Sequence, residues 1–179
     1  MAEEWYPFNG VNIMSNLYET DYQQWLSNQV ALLRNHHFDQ LDLENLLEDL
    51  ELGIESKVDN LERFLTNLIL HLLKCDYQTT VLRDSVATER VINGWLNSID
   101  NARREINKLM RKNACLERRV EGALNGAYPD AKEGAIGEMN RHIPTKCPKL
   151  DNSSFPDTCP WSYEKLMEKD WYPLNGVEL

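Results

Sequence analysis

The sequence lacks the features of several large classes of protein. No apolar run approaches the roughly 20 residues that a membrane-spanning helix needs, and the richest stretch, residues 64–73, contains three polar residues. The N-terminus carries neither the basic nor the apolar region of a secretory signal. The four cysteines are widely spaced and include no Cys-x-x-Cys pair of the kind that binds zinc. We therefore expect a cytoplasmic protein with reduced thiols and with no membrane partner.

Signals for catalysis and for β-structure are also scarce. No serine lies in a nucleophile elbow, no glycine-rich loop is present to hold a phosphate, and Cys159, between Thr158 and Pro160, has no recognisable base. His36 and His37 are adjacent, and neighbouring residues on a helix face different directions, so a surface turn explains them better than a metal site does. No segment alternates apolar and polar residues with a period of two. We predict no cofactor and no sheet.

Basic residues are few in the first third of the chain. The whole sequence has 19 Lys and Arg residues against 29 Asp and Glu residues, a formal charge of −10. Residues 1–62 hold 13 acidic residues and two basic ones, whereas residues 100–120 hold seven basic residues and three acidic ones. A general nucleic-acid binder is expected to present a net positive surface. Binding of nucleic acid through the basic face between residues 103 and 119 is therefore the weakest alternative, and we do not expect nucleic acid as a partner.

Apolar residues recur at spacings of three and four along most of the chain, which is the period of an amphipathic helix. The pattern predicts a first helix from about residue 16 to residue 35. A second helix is predicted to begin after Asp42 as N-cap and to run to about Lys74, with Gly53 as the one point at which it can bend. Further helices are predicted over residues 85–111, 116–128, 130–140 and 163–169.

The predicted fold class is therefore all-α: a single-domain helical bundle of five to six helices with a Pro-rich C-terminal arm. Residues 1–14 are predicted to be a peripheral N-terminal extension that echoes the C-terminus, and residues 15–141 to be the bundle. Residues 142–179 are predicted to be the arm, with a short terminal helix and an aromatic tail, because four prolines lie between residues 142 and 160.

The two ends of the chain repeat one short sequence. Residues 4–11, EWYPFNGV, match residues 170–177, DWYPLNGV, at six of eight positions. One explanation is structural: both ends dock into similar grooves, or one end replaces the other in a neighbouring chain. The other is historical: the start of one gene copy in a tandem array retains the tail of the preceding copy. We favour the historical explanation, which makes Met14 the more natural start and predicts that residues 1–13 are peripheral or disordered.

Several motifs, taken in order, resemble a known family. The motifs are YETDY at residues 18–22 with Trp25, LDLENL at 41–46 running into EDLE at 48–51, LHLLK at 70–74 with Tyr77, Trp95 with Arg103, and FPDTCPW at 155–161. Over about residues 17–173 the chain resembles the bacterial, largely cyanobacterial, domain-of-unknown-function family 29. The resemblance implies a small all-helical protein, and it implies no agreed activity.

An acidic stripe is the strongest candidate for chemistry. Four glutamates of the second predicted helix follow spacings of four, three and four and so share one face. They are Glu44, Glu48, Glu51 and Glu55. Carboxylates and an imidazole are ligands that divalent metals accept, so the candidate metal ligands are Glu48, Asp49, Glu51 and His71. His71 lies 20 residues beyond Glu51, so such a site requires the helix to break near Gly53 and fold back. A solvated helix face and a hydrogen-bonded core histidine are the simpler interpretation.

Two further features indicate protein partners. A basic stripe on the third predicted helix can meet phosphate or an acidic partner, or can lie against the acidic second helix of the same chain. The stripe consists of Arg103, Arg104, Lys108, Arg111 and Lys112. Aromatic residues cluster near the C-terminus, where the arm can wrap its own bundle or clasp a second chain, and Trp and Tyr are enriched in interfaces. The residues assigned to partner binding are Arg103, Arg104, Lys108, Trp161, Trp171 and Tyr172.

The predicted function is a protein–protein interaction or assembly module without catalysis of its own. We expect its partner to be another protein or a second copy of the chain. The alternative is a metal-dependent hydrolase or nuclease that uses the acidic stripe and a histidine, and a divalent metal is expected only under that alternative.

Overall fold

The computed structural model describes residues 17–82, 85–143 and 148–176. Within these ranges every regular element is helical and no strand is present, which confirms the prediction of an all-α helical bundle. The predicted N-terminal extension, with its copy of the repeated sequence, and residues 144–147 of the predicted arm lie outside the described residues.

Five α-helices follow one another within the described ranges. They are α1 (Tyr22–Arg34), α2 (Leu43–Tyr77), α3 (Ser85–Lys112), α4 (Val120–His142) and α5 (Tyr163–Leu166). A helical turn at residues 17–20 precedes α1, and the short connections include 3₁₀ turns at Phe38–Gln40, Ala114–Arg119 and Asn152–Ser154 and a π-helical segment at Gln78–Leu82. Helix α2 passes Gly53 without a break, because one missing side chain lowers helix propensity by only about 1 kcal/mol.

The described residues up to residue 55 form one compact unit, and the described residues from 56 onward form a second. In the described part of the first unit, α1 is fixed to the start of α2 by buried polar contacts. Trp25 is fully buried, and its indole Nε1 donates to the Asp42 carboxylate at 3.1 Å. The Asp42 backbone amide donates to Gln29 Oε1 at 3.0 Å, and the Asp42 carboxylate in turn accepts from the side chain of Asn45 at 2.7 Å. Asp42 thus marks the start of α2, as its position in the sequence predicts.

The second unit contains the hydrophobic core. Helix α4 presents a stripe of small residues to it, and this stripe allows close helix packing. The small residues are Ala123, Ala127, Ala131 and Ala135. The large side chains that fill the core include Leu61, Leu65, Leu68 and Leu72 from α2, and Ile92, Ile99 and Ile106 from α3.

The prediction of two helices over residues 116–128 and 130–140 is wrong, because α4 continues through Pro129. A proline inside a helix removes one backbone hydrogen bond, here the bond to the carbonyl of Asn125. Pro129 and Asn125 are both exposed, so water can replace the lost bond. The alanine stripe meanwhile packs on both sides of the proline. Tertiary packing therefore outweighs a local cost of about 3 kcal/mol.

The described part of the arm packs on its own bundle, as the sequence allowed. The Asn140 side chain exchanges two hydrogen bonds with the Leu150 backbone, at 2.9 and 2.8 Å. Phe155 is buried in the core, and the carbonyl of Pro156 accepts from Tyr128 Oη at 2.7 Å. Helix α5 is shorter than the predicted 163–169 and ends at Leu166, although Ser162 caps its start by accepting from the amide of Lys165.

Candidate functional site

The first unit exposes an apolar face on α2. Its side chains lie at spacings of four, three and four, so they fall within about 60° around the helix axis. Leu47 and Leu50 are 58% and 57% exposed, and Leu43 and Ile54 are exposed to a similar extent. We call Leu43, Leu47, Leu50 and Ile54 the apolar face. The same spacing continues along the helix into the second unit, where the corresponding residues from Leu61 onward are fully buried. The same spacing of apolar residues therefore forms an exposed face in the first unit and part of the hydrophobic core in the second.

Carboxylates border the apolar face. The acidic stripe, which consists of Glu44, Glu48, Glu51 and Glu55, lies about 100° further round the helix. Its four side chains are all exposed. Residues 17–55 hold nine acidic residues and a single arginine, so the surface around the apolar face is strongly negative.

A third side of α2, away from the acidic stripe, contacts α1. The Tyr22 hydroxyl donates to the Asp49 carboxylate at 2.8 Å, and the Tyr22 ring stacks on Trp25 with 5.7 Å between the centroids. Tyr18 packs edge-on against Trp25 at 4.7 Å. These rings occupy the side of α2 that carries Asp42 and Asp49, and they leave the apolar face uncovered in the described part of the unit.

The residues predicted as metal ligands do not all belong to one unit. Glu48, Asp49 and Glu51 lie in the first unit and His71 in the second. Among the described residues, no group of three or more His, Cys, Asp or Glu side chains is arranged to hold a metal ion. The metal-site hypothesis therefore gains no support from the structure and stays a prediction from the sequence.

His71 instead belongs to a polar cluster with Lys74 and Glu138 in the second unit. Nearby Lys74 is only 5% exposed. Its ammonium donates to the Glu138 carboxylate at 2.5 Å and lies 4.5 Å from the centroid of the Trp95 ring. His71 Nδ1 is buried and has no hydrogen-bond partner in the described ranges. Burial lowers the pKa of His71 to about 4, and the neighbouring positive charge of Lys74 adds to this effect while Glu138 opposes it. His71 is therefore neutral at pH 7 and partly buried.

The low pKa of His71 predicts that the protein loses stability in mild acid. As the pH falls from about 6.5 towards about 4, the unfolded chain binds a proton that the folded chain does not bind, so the free energy of unfolding decreases. The hydrogen bond from Lys74 lowers the pKa of Glu138, which keeps this carboxylate ionised over most of that interval. Urea unfolding at about pH 7 and about pH 5 should show a smaller loss for His71→Gln than for the wild type.

An exposed histidine provides the control for this measurement. His142 lies at the end of α4 in the same unit and is exposed. The His142→Gln variant should therefore lose as much stability between the two pH values as the wild type does. An equal loss in the His71→Gln variant would contradict the assignment of a lowered pKa to His71.

Arg103 ties the end of the chain to α3. The side chain is 5% exposed. Its Nε donates to the carbonyl of Leu166 at 2.8 Å and its Nη2 donates to the carbonyl of Trp171 at 2.7 Å. The guanidinium also lies 5.2 Å from the centroid of the Tyr172 ring. The hydroxyl of Tyr172 donates to Asp100 at 2.7 Å, and burial together with this bond raises the pKa of Tyr172 to about 12.

The contacts of the C-terminal segment continue beyond Tyr172. The buried Thr79 hydroxyl donates to the carbonyl of Pro173 at 3.1 Å. The Asn175 side chain donates to Thr79 Oγ1 at 2.9 Å and to the Asp76 carboxylate at 3.0 Å. We call the surface formed by Asp76, Thr79, Asp100, Arg103, Trp161 and Leu166 the tail groove.

The structure separates the residues that were assigned to partner binding. Trp161 and Trp171 pack edge-on at 5.7 Å, and with Tyr172 and Arg103 they hold the arm on its own bundle. Arg104 and Lys108 are exposed, and they contact Asn101 and Glu105 on the same helix. One interpretation of the sequence places the basic stripe against the acidic second helix. Arg103 instead donates to the backbone carbonyls of Leu166 and Trp171.

A family match accompanies this geometry. The model of the domain of unknown function DUF29 matches residues 17–172. The chain belongs to this family. The matched range contains the apolar face, the polar cluster of His71, Lys74 and Glu138, and all residues of the tail groove. Membership in DUF29 carries no activity with it.

The remaining comparisons give no relative from which a function can be transferred. Neither a curated protein nor a solved structure matches the chain. No helix in the described ranges is long and apolar enough to span a membrane.

Proposed function

We propose that the protein is a protein–protein interaction module whose first unit binds a basic, amphipathic helix of a partner protein. The observation that carries this proposal is the apolar face of α2, four large aliphatic side chains in one row that are about half exposed. Isolated exposed apolar residues are ordinary on protein surfaces, whereas a contiguous patch marks an interaction site. A helix that lies in such a surface through leucines at matching spacing is a common mode of peptide recognition.

The charge around the apolar face defines the partner. A helix that packs against Leu47 and Leu50 brings its own flanking residues next to Glu48 and Glu51. Lysine or arginine at those flanking positions forms favourable pairs and speeds association, whereas acidic residues are repelled. Charge repulsion disfavours a symmetric dimer through this face, because the acidic stripes of two copies would approach each other.

The size of the face limits the affinity. Covering the exposed parts of four aliphatic side chains contributes on the order of 1 kcal/mol each, and association costs several kcal/mol of translational and rotational freedom. Apolar contact alone is therefore insufficient, and the charged pairs are needed for specific binding. We expect an affinity that weakens as salt is added, because exposed charges are screened.

The test uses a synthetic peptide as the partner. The probe is a fluorescein-labelled helical peptide with leucines at spacings of three and four flanked by lysines, and the matched peptide carries glutamates in place of the lysines. Fluorescence anisotropy should show binding of the lysine peptide to the full chain and at least tenfold weaker binding of the glutamate peptide. The Leu47→Ser/Leu50→Ser variant should bind the lysine peptide at least tenfold more weakly than the wild type.

A control variant separates loss of the face from loss of the fold. Val81 lies in the second unit, outside the apolar face, and is 58% exposed, so Val81→Ser should leave peptide binding unchanged. Both variants should melt within a few degrees of the wild type, because substitutions at exposed positions change stability by roughly 0.5 kcal/mol or less. Equal binding by the wild type and by Leu47→Ser/Leu50→Ser would overturn the proposal. A dimer in light scattering that this variant abolishes would also overturn it, because the occupant of the face would then be a second copy.

A further inference from the structure

The C-terminal segment occupies the tail groove in an irregular conformation that specific residues maintain. Trp171 packs on Trp161, and Tyr172 bonds to Asp100. Pro173 is buried and accepts a hydrogen bond from Thr79. Each of these contacts lies within the second unit.

The conformation of the segment also depends on its sequence. Asn175 and Gly176 have positive φ angles of 49° and 82°, a region that asparagine tolerates and glycine enters without strain. The Asn175 side chain donates both to the groove and back to the carbonyl of Pro173 at 3.1 Å. A segment that binds in the tail groove in this conformation therefore needs an Asn-Gly pair at these two positions.

The N-terminal copy of the repeated sequence contains all of these residue types. Residues 5–7 repeat the Trp-Tyr-Pro of residues 171–173, and residues 9–10 repeat the Asn-Gly of residues 175–176. The two copies differ at two positions: Glu4 stands where the tail has Asp170, and Phe8 stands where the tail has Leu174. Leu174 is only partly buried, so the position of Leu174 and Phe8 tolerates side chains of different volume. A segment with the same donors, the same rings and the same Asn-Gly pair fits the same groove.

We propose that residues 4–11 are a second ligand for the tail groove and exchange there with residues 170–177. The tail groove lies in the second unit and is distinct from the apolar face, and its second ligand is a segment of this chain and not a partner helix. It favours the structural explanation of the repeat. Because either segment can supply the Tyr, Pro and Asn-Gly contacts, the groove remains filled when one of the two segments is lost.

A double-mutant cycle in the full-length chain tests the exchange. The tail pair is Tyr172→Ala/Asn175→Ala, and the matched N-terminal pair is Tyr6→Ala/Asn9→Ala. The N-terminal pair alone should leave the melting temperature unchanged, and the tail pair alone should lower it. The variant with all four substitutions should lose more than the sum of the two losses, because no intact segment remains. Additive losses would overturn the proposal.

A peptide experiment gives an independent reading. A fluorescein-labelled peptide of residues 1–13 should bind the four-substitution variant roughly tenfold or more tightly than the wild type, in which the tail occupies the groove for most of the time. The same peptide with Tyr6→Ala should bind neither protein. Equal affinity for the two proteins would overturn the proposal. If the tail pair does not fold, the series Tyr172→Phe and Tyr6→Phe removes only the hydroxyl groups and is expected to show the same greater-than-additive loss.

Discussion

Replacement of Arg103 by alanine is expected to lower the melting temperature by about 10 °C. The guanidinium donates to the carbonyls of Leu166 and Trp171 from a site that is 95% buried. Hydrogen bonds to a charged group contribute about 1.5–3 kcal/mol each, and the substitution also leaves two carbonyl groups without this donor. A loss of about 3–4 kcal/mol corresponds to a shift of roughly 10 °C for a chain of this length.

The neighbouring arginine is a matched control for this prediction. Arg104 lies on the same helix, is exposed, and bonds only to Asn101 in the described part of the chain. The Arg104→Ala variant should melt within about 2 °C of the wild type, because exposed substitutions of this kind change stability little. Calorimetry of the two variants side by side is the measurement. Equal shifts would show that Arg103 does not hold the C-terminal segment.

Removal of the Glu138 carboxylate is expected to have the second largest effect. Lys74 is buried, and its ammonium depends on Glu138 for its one ionic partner among the described residues. Removing one member of a buried ion pair costs about 3–5 kcal/mol. The Glu138 side chain is 40% exposed, so solvent screening reduces the expected loss for Glu138→Ala to about 2 kcal/mol. Urea unfolding at neutral pH measures this loss directly.

Two further variants make the assignment specific. Glu133→Ala removes an exposed carboxylate from the same helix and should have little effect. Lys74→Met/Glu138→Gln removes both charges and keeps the approximate volume, so it should be more stable than Glu138→Ala, because no unpaired charge is left buried. If the double replacement proved the less stable of the two, the unpaired ammonium would not be the cause of the loss.

The sequence was sufficient to predict the helices, because apolar spacing determines which face of each helix is buried. The bounds of α2 and α3 agree with prediction to within about three residues. The prediction failed at Pro129, where the alanine stripe of α4 contributes more than the local cost of a proline. Local helix propensity contains no information on this packing, because the packing depends on helices that lie far away in the sequence.

The candidate sites were less accessible to prediction. The apolar face follows the same spacing as the core residues of α2, so the sequence alone does not distinguish Leu47, which is exposed, from Leu65, which is buried. Arg103 was identified as a binding residue, but its partners are backbone carbonyls more than 60 residues away, and carbonyl groups leave no signal in a sequence. Thr79 and Asp100 were not identified as functional residues for the same reason. The repeated sequence at the two ends and the aromatic cluster near the C-terminus were the signals that pointed to the tail groove.

Hydrogen–deuterium exchange of the full chain, with and without the lysine-bearing helical peptide, tests the central claim most directly. Bound peptide is expected to slow amide exchange in residues 43–55 and to leave exchange in residues 99–112 of α3 unchanged, because the peptide covers the apolar face and not the basic stripe. The Leu47→Ser/Leu50→Ser variant should show no such protection under the same conditions. Protection confined to the second unit, or equal protection in the wild type and the variant, would contradict the account.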